Sequence, residues 1–264
     1  MEGIATYITK LLAKEIYAFS WEELRQNIPR SEVSLRRELS RLVEKKEIIN
    51  LRKGFYLVLP PRYRSMGELP LELYVDKLFQ YLEKLYYAGL YSAARLHGAS
   101  HQQIHQNYVV IPLPALLNIE KNNIVVNFYT SAKWPSKNIL QKKSDAGYFN
   151  VSSPALTAAD LLHYQTKLGG LNRVSTILEE LAEEIKEQDI IDLLSWYPHK
   201  STLQRLGYIL EENHTDKLIT QRIFDKINMK PFYPILLSPE KTQKAGAVDN
   251  RWKVFINQDI ESDL

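Results

Sequence analysis

The first 46 positions of the chain alternate apolar and polar residues in a pattern that predicts three helices. Apolar residues at positions 4, 8, 11 and 12 share one face at helical spacing, so the first helix is predicted to begin at Ile4 and end near Ala13. Ser20 and Glu23 form the Ser-x-x-Glu pattern of a capping box, which begins a second helix. Pro29 ends that helix, because the residue before a proline avoids the helical conformation.

The third helix, predicted over residues 32–46, has two contrasting faces. Its apolar residues lie within a narrow arc and must face a core: Leu35, Leu39 and Leu42. The opposite arc carries a polar and cationic stripe: Ser34, Arg37, Arg41 and Lys45. On a recognition helix such a stripe faces the major groove, where arginine pairs with guanine edges. A solvated helix face accounts for the same pattern, and Glu38 and Glu44 beside the stripe would repel phosphate.

A short hairpin follows the third helix and decides between these interpretations. Residues 48–51 and 55–58 are rich in strand formers. Between them, Arg52-Lys53-Gly54 supplies a tight, basic turn. A hairpin placed after a recognition helix is a wing, whose cations reach phosphate or the minor groove. The order of elements over residues 20–58 is therefore that of a winged helix-turn-helix and predicts binding to double-stranded DNA.

The charge distribution agrees with an anionic partner at this end of the chain. Residues 1–64 hold 13 Lys and Arg against 8 Asp and Glu, whereas the rest of the chain holds 21 against 23. The chain contains no cysteine, which excludes disulfides and thiolate metal sites and fits a reducing compartment. No basic, apolar leader is recognisable at the start, and no stretch has the pattern of a membrane span, so we expect a cytoplasmic protein without a membrane partner.

The remaining residues predict a second, larger domain of mixed α+β class. Pro60-Pro61 stops strand pairing, and the connection ends near Gly67 and Pro70. The predicted domains are therefore residues 1–64 and 65–264. In the second domain, residues 86–103 contain a helix that is rich in small residues and ends at Gly98, and three strands follow it. The next helix begins at Ser153 and Pro154 and ends at Gly169-Gly170. Further helices and two final strands complete the domain.

Candidate catalytic residues are few. His97, His101 and His105 are spaced by four, as zinc ligands on one helix face can be, but Gly98 and Ser100 weaken the helix and no carboxylate or cysteine completes the set. Glu184-Ile185-Lys186 matches the Glu-x-Lys of some nucleases, yet it lies in an acidic helix whose surface explains it. Phosphate-binding, nucleophile-elbow and Rossmann motifs are absent from the sequence. We therefore predict no enzyme activity, no cofactor and no metal.

Several stretches resemble one known family. Residues 47–61, with the sequence EIINLRKGFYLVLPP, and GELP at 67–70 resemble the end of the N-terminal domain of the abortive-infection E antitoxin family. Residues 86–103, YYAGLYSAARLHGASHQQ, are similar to that family's most recognisable segment. SSP at 152–154 and RWKV at 251–254 are also similar. The resemblance extends in order over nearly the whole chain.

The resemblance implies a bacterial type IV antitoxin with a winged-helix DNA-binding domain and a larger antitoxin domain. Such a protein represses its own operon, typically at inverted repeats, and neutralises a co-encoded nucleotidyltransferase-like toxin in phage defence. The positions that it assigns to DNA contact are Arg36, Arg37, Arg41, Arg52 and Lys53. Two alternatives remain open from the residues alone: a winged-helix regulator whose C-terminal domain senses a small ligand, and a nuclease.

Overall fold

The computed structural model describes residues 3–99, 106–241, 248 and 250–259. The fold is of mixed α+β class, as predicted. The chain divides into two compact units. Unit 1 comprises residues 1–87, 104–131 and 141–150, and unit 2 comprises residues 88–103, 132–140 and 151–264. The domain boundary placed after residue 64 stays a prediction.

Unit 1 begins with three helices and a small antiparallel sheet. In order, the elements are α1 (Ile4–Leu12), β1 (Ala18–Ser20), α2 (Trp21–Asn27), α3 (Glu32–Glu44), β2 (Ile48–Arg52) and β3 (Phe55–Val58). The sheet has the order β1-β3-β2, with Ala18 opposite Leu57 and Ile48 opposite Val58. The three leucines of α3 are buried in one apolar cluster with Ile4 and Phe19, so their predicted orientation is confirmed.

The start of α2 follows from the capping box. The Ser20 Oγ accepts a hydrogen bond from the Glu23 amide at 3.0 Å, and the Glu23 Oε2 accepts one from the Ser20 amide at 2.7 Å. Both groups satisfy backbone donors that the helix itself leaves unpaired. This prediction is confirmed, and α2 ends two residues before Pro29. Strand β1, immediately before the cap, had no counterpart in the sequence prediction.

A second sheet is six-stranded and mixed. After α4 (Pro61–Arg64) and α5 (Val75–Leu82) come β4 (Tyr87–Ala88), β5 (Gln106–Pro112), β6 (Ile119–Lys121), β7 (Ile124–Ser131), β8 (Ile139–Ser144) and β9 (Gly147–Ser152). The strand order is β6-β7-β5-β4-β9-β8. In unit 1, β5 runs parallel to β7, with Val109 opposite Phe128, and β6 runs antiparallel to β7.

Unit 2 is mainly helical. Its helices are α6 (Leu90–Leu96), α7 (Pro154–His163), α8 (Leu171–Glu184), α9 (Glu187–Trp196), α10 (Lys200–Glu212) and α11 (Lys217–Asn228). The short parallel strands β10 (Ile235–Leu236) and β11 (Val254–Phe255) follow. Helix α7 begins as predicted: the Ser153 Oγ accepts a hydrogen bond from the Leu156 amide, and Pro154 occupies the first helical position.

Two glycine predictions had different outcomes. Helix α6 ends at Leu96, and Gly98 follows at φ 82°, in the left-handed region that favours glycine, so this stop is confirmed. The prediction that Gly169-Gly170 ends the helix beginning at Pro154 was wrong, because α7 ends at His163 and a short 3₁₀ turn, Gln165–Lys167, intervenes. The two glycines instead precede α8, both at positive φ.

A buried tryptophan packs directly on a glycine of α10. Trp252 is fully buried, and its six-membered ring lies so close to Gly207 that a Cβ at position 207 would overlap the ring atoms. The Trp252 indole Nε1 donates a hydrogen bond to the Glu211 Oε2. The Gln204 Nε2 donates one to the Trp252 carbonyl oxygen at 2.9 Å. At Gly207 the segment before β11 therefore approaches α10 closely.

Candidate nucleic-acid interface

The outer face of α3 presents cations that the described part of the chain does not neutralise. Arg37, Arg41 and Lys45 are exposed. In the described ranges, no carboxylate forms an ion pair with any of the three. Their apolar counterparts across the helix are buried, which fixes the direction of this face. The stripe predicted from sequence is thus present as a cationic surface, with the exposed Glu44 beside it.

Arg36 is held more firmly than its neighbours. Its guanidinium lies over the Trp21 ring, 4.4 Å from the centroid, and its Nη2 lies 3.7 Å from the Glu32 Oε2. The Trp21 amide donates a hydrogen bond to the carbonyl oxygen of Gly54 in the β2–β3 turn, at 2.8 Å. Trp21 therefore contacts both α3 and the turn. Stacking and ion pairing together limit how far the Arg36 side chain can reach.

Ser34 and Glu38 belong to a half-buried polar cluster. The Ser34 Oγ accepts a hydrogen bond from the Arg30 Nη2 at 2.5 Å, and the Glu38 Oε2 accepts one from the Arg30 Nη1 at 2.6 Å. The Glu38 Oε1 accepts a hydrogen bond from the Ile4 amide at the start of α1, at 2.8 Å. Glu38, which the sequence placed beside the stripe as a repulsive charge, is thus paired with Arg30 and ties α1 to α3.

Replacing Glu38 with alanine is expected to lower the free energy of unfolding by about 1–3 kcal/mol, because Arg30 and the Ile4 amide would lose their acceptor. Chemical denaturation of the full chain measures this loss. Glu44→Ala is the matched control: its carboxylate is exposed, so stability should stay within about 0.5 kcal/mol of the parent. Equal stability of the two variants would contradict this role for Glu38.

The β2–β3 turn exposes one of its two cations and partly buries the other. A register shift between Asn50 and Arg52 turns Arg52 partly inward, so that this side chain is half-buried. Its Nη1 is buried without a hydrogen-bond partner among the described residues. Lys53 is exposed, and Gly54 adopts φ 78°, which the tight turn requires. Lys53 is therefore the more accessible of the two predicted wing contacts.

Two residues of helix α5, Tyr81 and Lys77, contact the β2–β3 turn and α2. The Tyr81 hydroxyl donates a hydrogen bond to the Lys53 carbonyl oxygen at 3.0 Å, and its ring packs against Phe55 with centroids 5.2 Å apart. The Lys77 Nζ lies 2.5 Å from the Glu23 Oε1 at the start of α2. These contacts hold the turn and α2 in place. Sequence patterns did not reveal them, because the partners are separated by 28 and 54 positions.

A buried tyrosine lies near Arg36. Tyr56 of β3 stacks on Phe19 with centroids 5.4 Å apart. Burial raises the pKa of Tyr56, while the nearby Arg36 guanidinium acts in the opposite direction. Its hydroxyl therefore stays protonated at neutral pH and adds no negative charge next to Arg36.

Those residues considered for catalysis that the structure describes are not gathered into a site. The His97 Nε2 lies 2.7 Å from the Ser152 carbonyl oxygen, and His101 and His105 lie outside the described residues. Over the ranges that the structure describes, no group of three or more His, Cys, Asp or Glu side chains could hold a metal ion. Glu184 is the last residue of α8, and Lys186 is the residue before α9.

Comparison with known proteins identifies the segment that follows α5. Residues 87–212, from β4 to the end of α10, match the family model described as the AbiEi antitoxin C-terminal domain. This segment belongs to the AbiEi antitoxin family. The match supports an antitoxin role in a toxin–antitoxin system and suggests a non-enzymatic one. The family resemblance stated from the sequence is thereby confirmed.

The fold is similar to that of a solved structure. The crystal structure of the RV2827C protein from Mycobacterium tuberculosis superposes with a TM-score of 0.68 at 15% identity, covering 94% of this AbiEi chain and 89% of that chain. At that identity the likeness concerns the fold alone. No curated protein matches the AbiEi chain. Over the described residues, no helix is both long and apolar enough to cross a membrane.

Proposed function

We propose that this AbiEi-family antitoxin is also a DNA-binding autorepressor, which acts in the cytoplasm on its own operator. The observation that carries the proposal is the exposed, unneutralised cationic face of α3, formed by Arg37, Arg41 and Lys45. A helix of this kind enters the major groove, where arginine pairs with guanine and lysine approaches phosphate. The described residues offer these three cations no alternative partner.

The arrangement of elements around α3 supports a winged-helix mode of binding. Helices α2 and α3 are followed by the β2–β3 hairpin, which would be the wing, and Lys53 would contact the phosphate backbone from it. Trp21 contacts both the wing turn and Arg36 and would keep them at a constant separation. Arg36, Ser34 and Arg52 would contribute less, because Arg36 is stacked on Trp21, Ser34 is hydrogen-bonded to Arg30 and Arg52 is half-buried.

Val33 is a further candidate contact that was not among the residues predicted from the sequence. It lies one turn before Arg37, and 61% of its surface is exposed although it is apolar and β-branched. Apolar side chains on recognition helices contact the C5-methyl group of thymine. Its signal was present in the sequence as an apolar residue opposite the leucine face of α3. We propose that Val33 reads a thymine beside the base pair that Arg37 contacts.

The partner of the antitoxin function would be a co-encoded nucleotidyltransferase-like toxin of an abortive-infection system. The segment that matches the antitoxin domain, residues 87–212, excludes both α3 and the hairpin. The two functions would therefore use different residues of the same chain. Operator half-sites arranged as inverted repeats would let two copies bind side by side.

The experiment that tests this division measures repression and toxin neutralisation in the same cells. The double variant Arg37→Ala/Arg41→Ala should lose at least about tenfold in repression of a reporter driven by the upstream region of the gene. It should still rescue growth when the neighbouring toxin gene is expressed, because neither side chain lies in residues 87–212. Lys217→Ala/Lys226→Ala, which removes two exposed cations of α11, is the matched control.

The outcomes separate the two halves of the proposal. Repression that survives in the arginine double variant would remove α3 from operator binding. Growth rescue that fails in a variant with parental stability would show that the two functions share residues. Growth rescue that fails with the parent protein would exclude the neighbouring gene's product as the target.

A further inference from the structure

A groove in unit 2 combines an exposed aromatic ring with a cluster of lysines. It lies where the segment after α11 passes β11, has a volume of about 480 Å³ and includes Pro231, Phe232, Tyr233, Pro234 and Lys253 in its lining. Phe232 is buried, whereas 78% of Tyr233 is exposed. The groove is distant in sequence from α3 and the hairpin, and neither the antitoxin match nor the proposed operator contact assigns it a role.

Two ammonium groups lie over the same buried ring. The Lys253 Nζ is 4.5 Å and the Lys200 Nζ 5.2 Å from the Phe232 centroid. Both groups also donate hydrogen bonds to backbone carbonyls: Lys200 to Lys230 at 2.6 Å and to Pro231 at 3.2 Å, and Lys253 to Phe232 at 3.2 Å. These bonds hold the two lysines in position beside the groove.

Within the described residues, ion pairs do not neutralise the lysine cluster. Burial, together with the neighbouring charges of Lys230 and Lys253, lowers the pKa of Lys200. Among the residues that the structure describes, no carboxylate forms an ion pair with any of the three. Like charges held close together without a counter-charge repel each other, and a bound anion would relieve that repulsion.

We propose that this groove binds single-stranded nucleic acid, with a base stacked on Tyr233 and the adjoining phosphates against Lys200, Lys230 and Lys253. A cationic groove beside an exposed aromatic ring is the arrangement that single-strand binding proteins use, because every base has a face that can stack. An acidic peptide would satisfy the lysines but would make no use of the exposed ring. The nucleic-acid strand therefore accounts for both features.

The test uses the full chain in the Arg37→Ala/Arg41→Ala background, so that the proposed operator surface does not contribute. Binding of a fluorescein-labelled oligo(U) 12-mer is followed by fluorescence anisotropy over a salt series. Tyr233→Ala should weaken binding about tenfold through the lost stacking. Lys230→Gln should reduce the salt slope by about 0.7 through one lost phosphate contact. Neither side chain forms a hydrogen bond or ion pair in the described part of the chain, so both variants should fold.

Two controls make the result decisive. Lys226→Gln removes an exposed lysine of α11 and should leave affinity unchanged. A poly-glutamate peptide of equal charge should compete poorly with the oligonucleotide. Absence of binding, unchanged affinity in Tyr233→Ala, or equal competition by poly-glutamate would each overturn the proposal, the last in favour of an acidic protein partner. Operator binding is measured in a separate experiment. If the protein does not bind its operator, the conclusion about single-stranded nucleic acid is unaffected.

Discussion

Arg37→Ala/Arg41→Ala is expected to weaken binding to the operator by about 10²- to 10³-fold, since each arginine contact to a base or phosphate contributes about 1–3 kcal/mol. The side chains are exposed and without an ion pair in the described ranges, so their loss removes no internal contact. The effect on affinity should therefore appear without a change in stability. A loss of affinity without a loss of stability distinguishes Arg37 and Arg41 from Arg36 and Ser34, whose contacts also stabilise the fold.

Fluorescence anisotropy on duplex DNA from the upstream region, between 50 and 200 mM salt, measures the predicted loss. If both arginines contact phosphate, the slope of log affinity against log salt should decrease by about 1.8. If they contact base edges, the slope should change less and discrimination against an unrelated duplex should fall instead. Lys217→Ala/Lys226→Ala should leave both quantities unchanged. Parental affinity and salt slope in the arginine variant would exclude α3 as the recognition helix.

Gly207→Ala is expected to lower the free energy of unfolding by about 3–5 kcal/mol, the range for emptying the site of a buried Phe or Trp, because an overlap this large would displace the indole. The added Cβ would overlap the Trp252 ring, so either the indole must leave its site or α10 must shift. Helix propensity alone predicts the opposite sign, because alanine is about 1 kcal/mol better than glycine inside a helix. The sign of the change therefore decides between packing and propensity.

Urea denaturation of both single variants and the double variant provides the measurement. Trp252→Ala alone should be destabilising, because it empties a fully buried site. Adding Gly207→Ala in that background should be neutral or stabilising, since the overlapping ring is gone. Such strong non-additivity is the signature of two groups that compete for one space. A simple sum of the two single effects would show that Gly207 and Trp252 act independently.

Features of the fold that depend on nearby residues could be predicted from the sequence. The capping box at Ser20 and Glu23 and the Ser153-Pro154 helix start each need groups no more than three positions apart. The leucine face of α3 follows from helical periodicity. Strand β1 could not be predicted in this way, because three residues give too short an alternation and its partner β3 lies 35 or more positions later.

At the candidate interface, too, contacts between residues far apart in the sequence could not be predicted. Exposure of Arg37 and Arg41 followed from the position of the leucines across the helix. The pairing of Glu38 with the Ile4 amide did not, because the two residues are 34 positions apart. The packing of Arg36 over Trp21 likewise depends on the tertiary structure. The sequence therefore indicated the cationic surface but not which of its side chains the fold already uses.

The contacts of Tyr81 and Lys77 determine how short an N-terminal fragment can be made without losing partners of the β2–β3 turn and α2. A fragment ending at residue 64 would leave Phe55 without its aromatic neighbour, the Lys53 carbonyl without its donor and Glu23 without its lysine. Extending the fragment to residue 87 restores all three partners. For crystallisation with an operator duplex or for assignment by NMR, the longer fragment is the one whose turn should have the geometry of the intact protein.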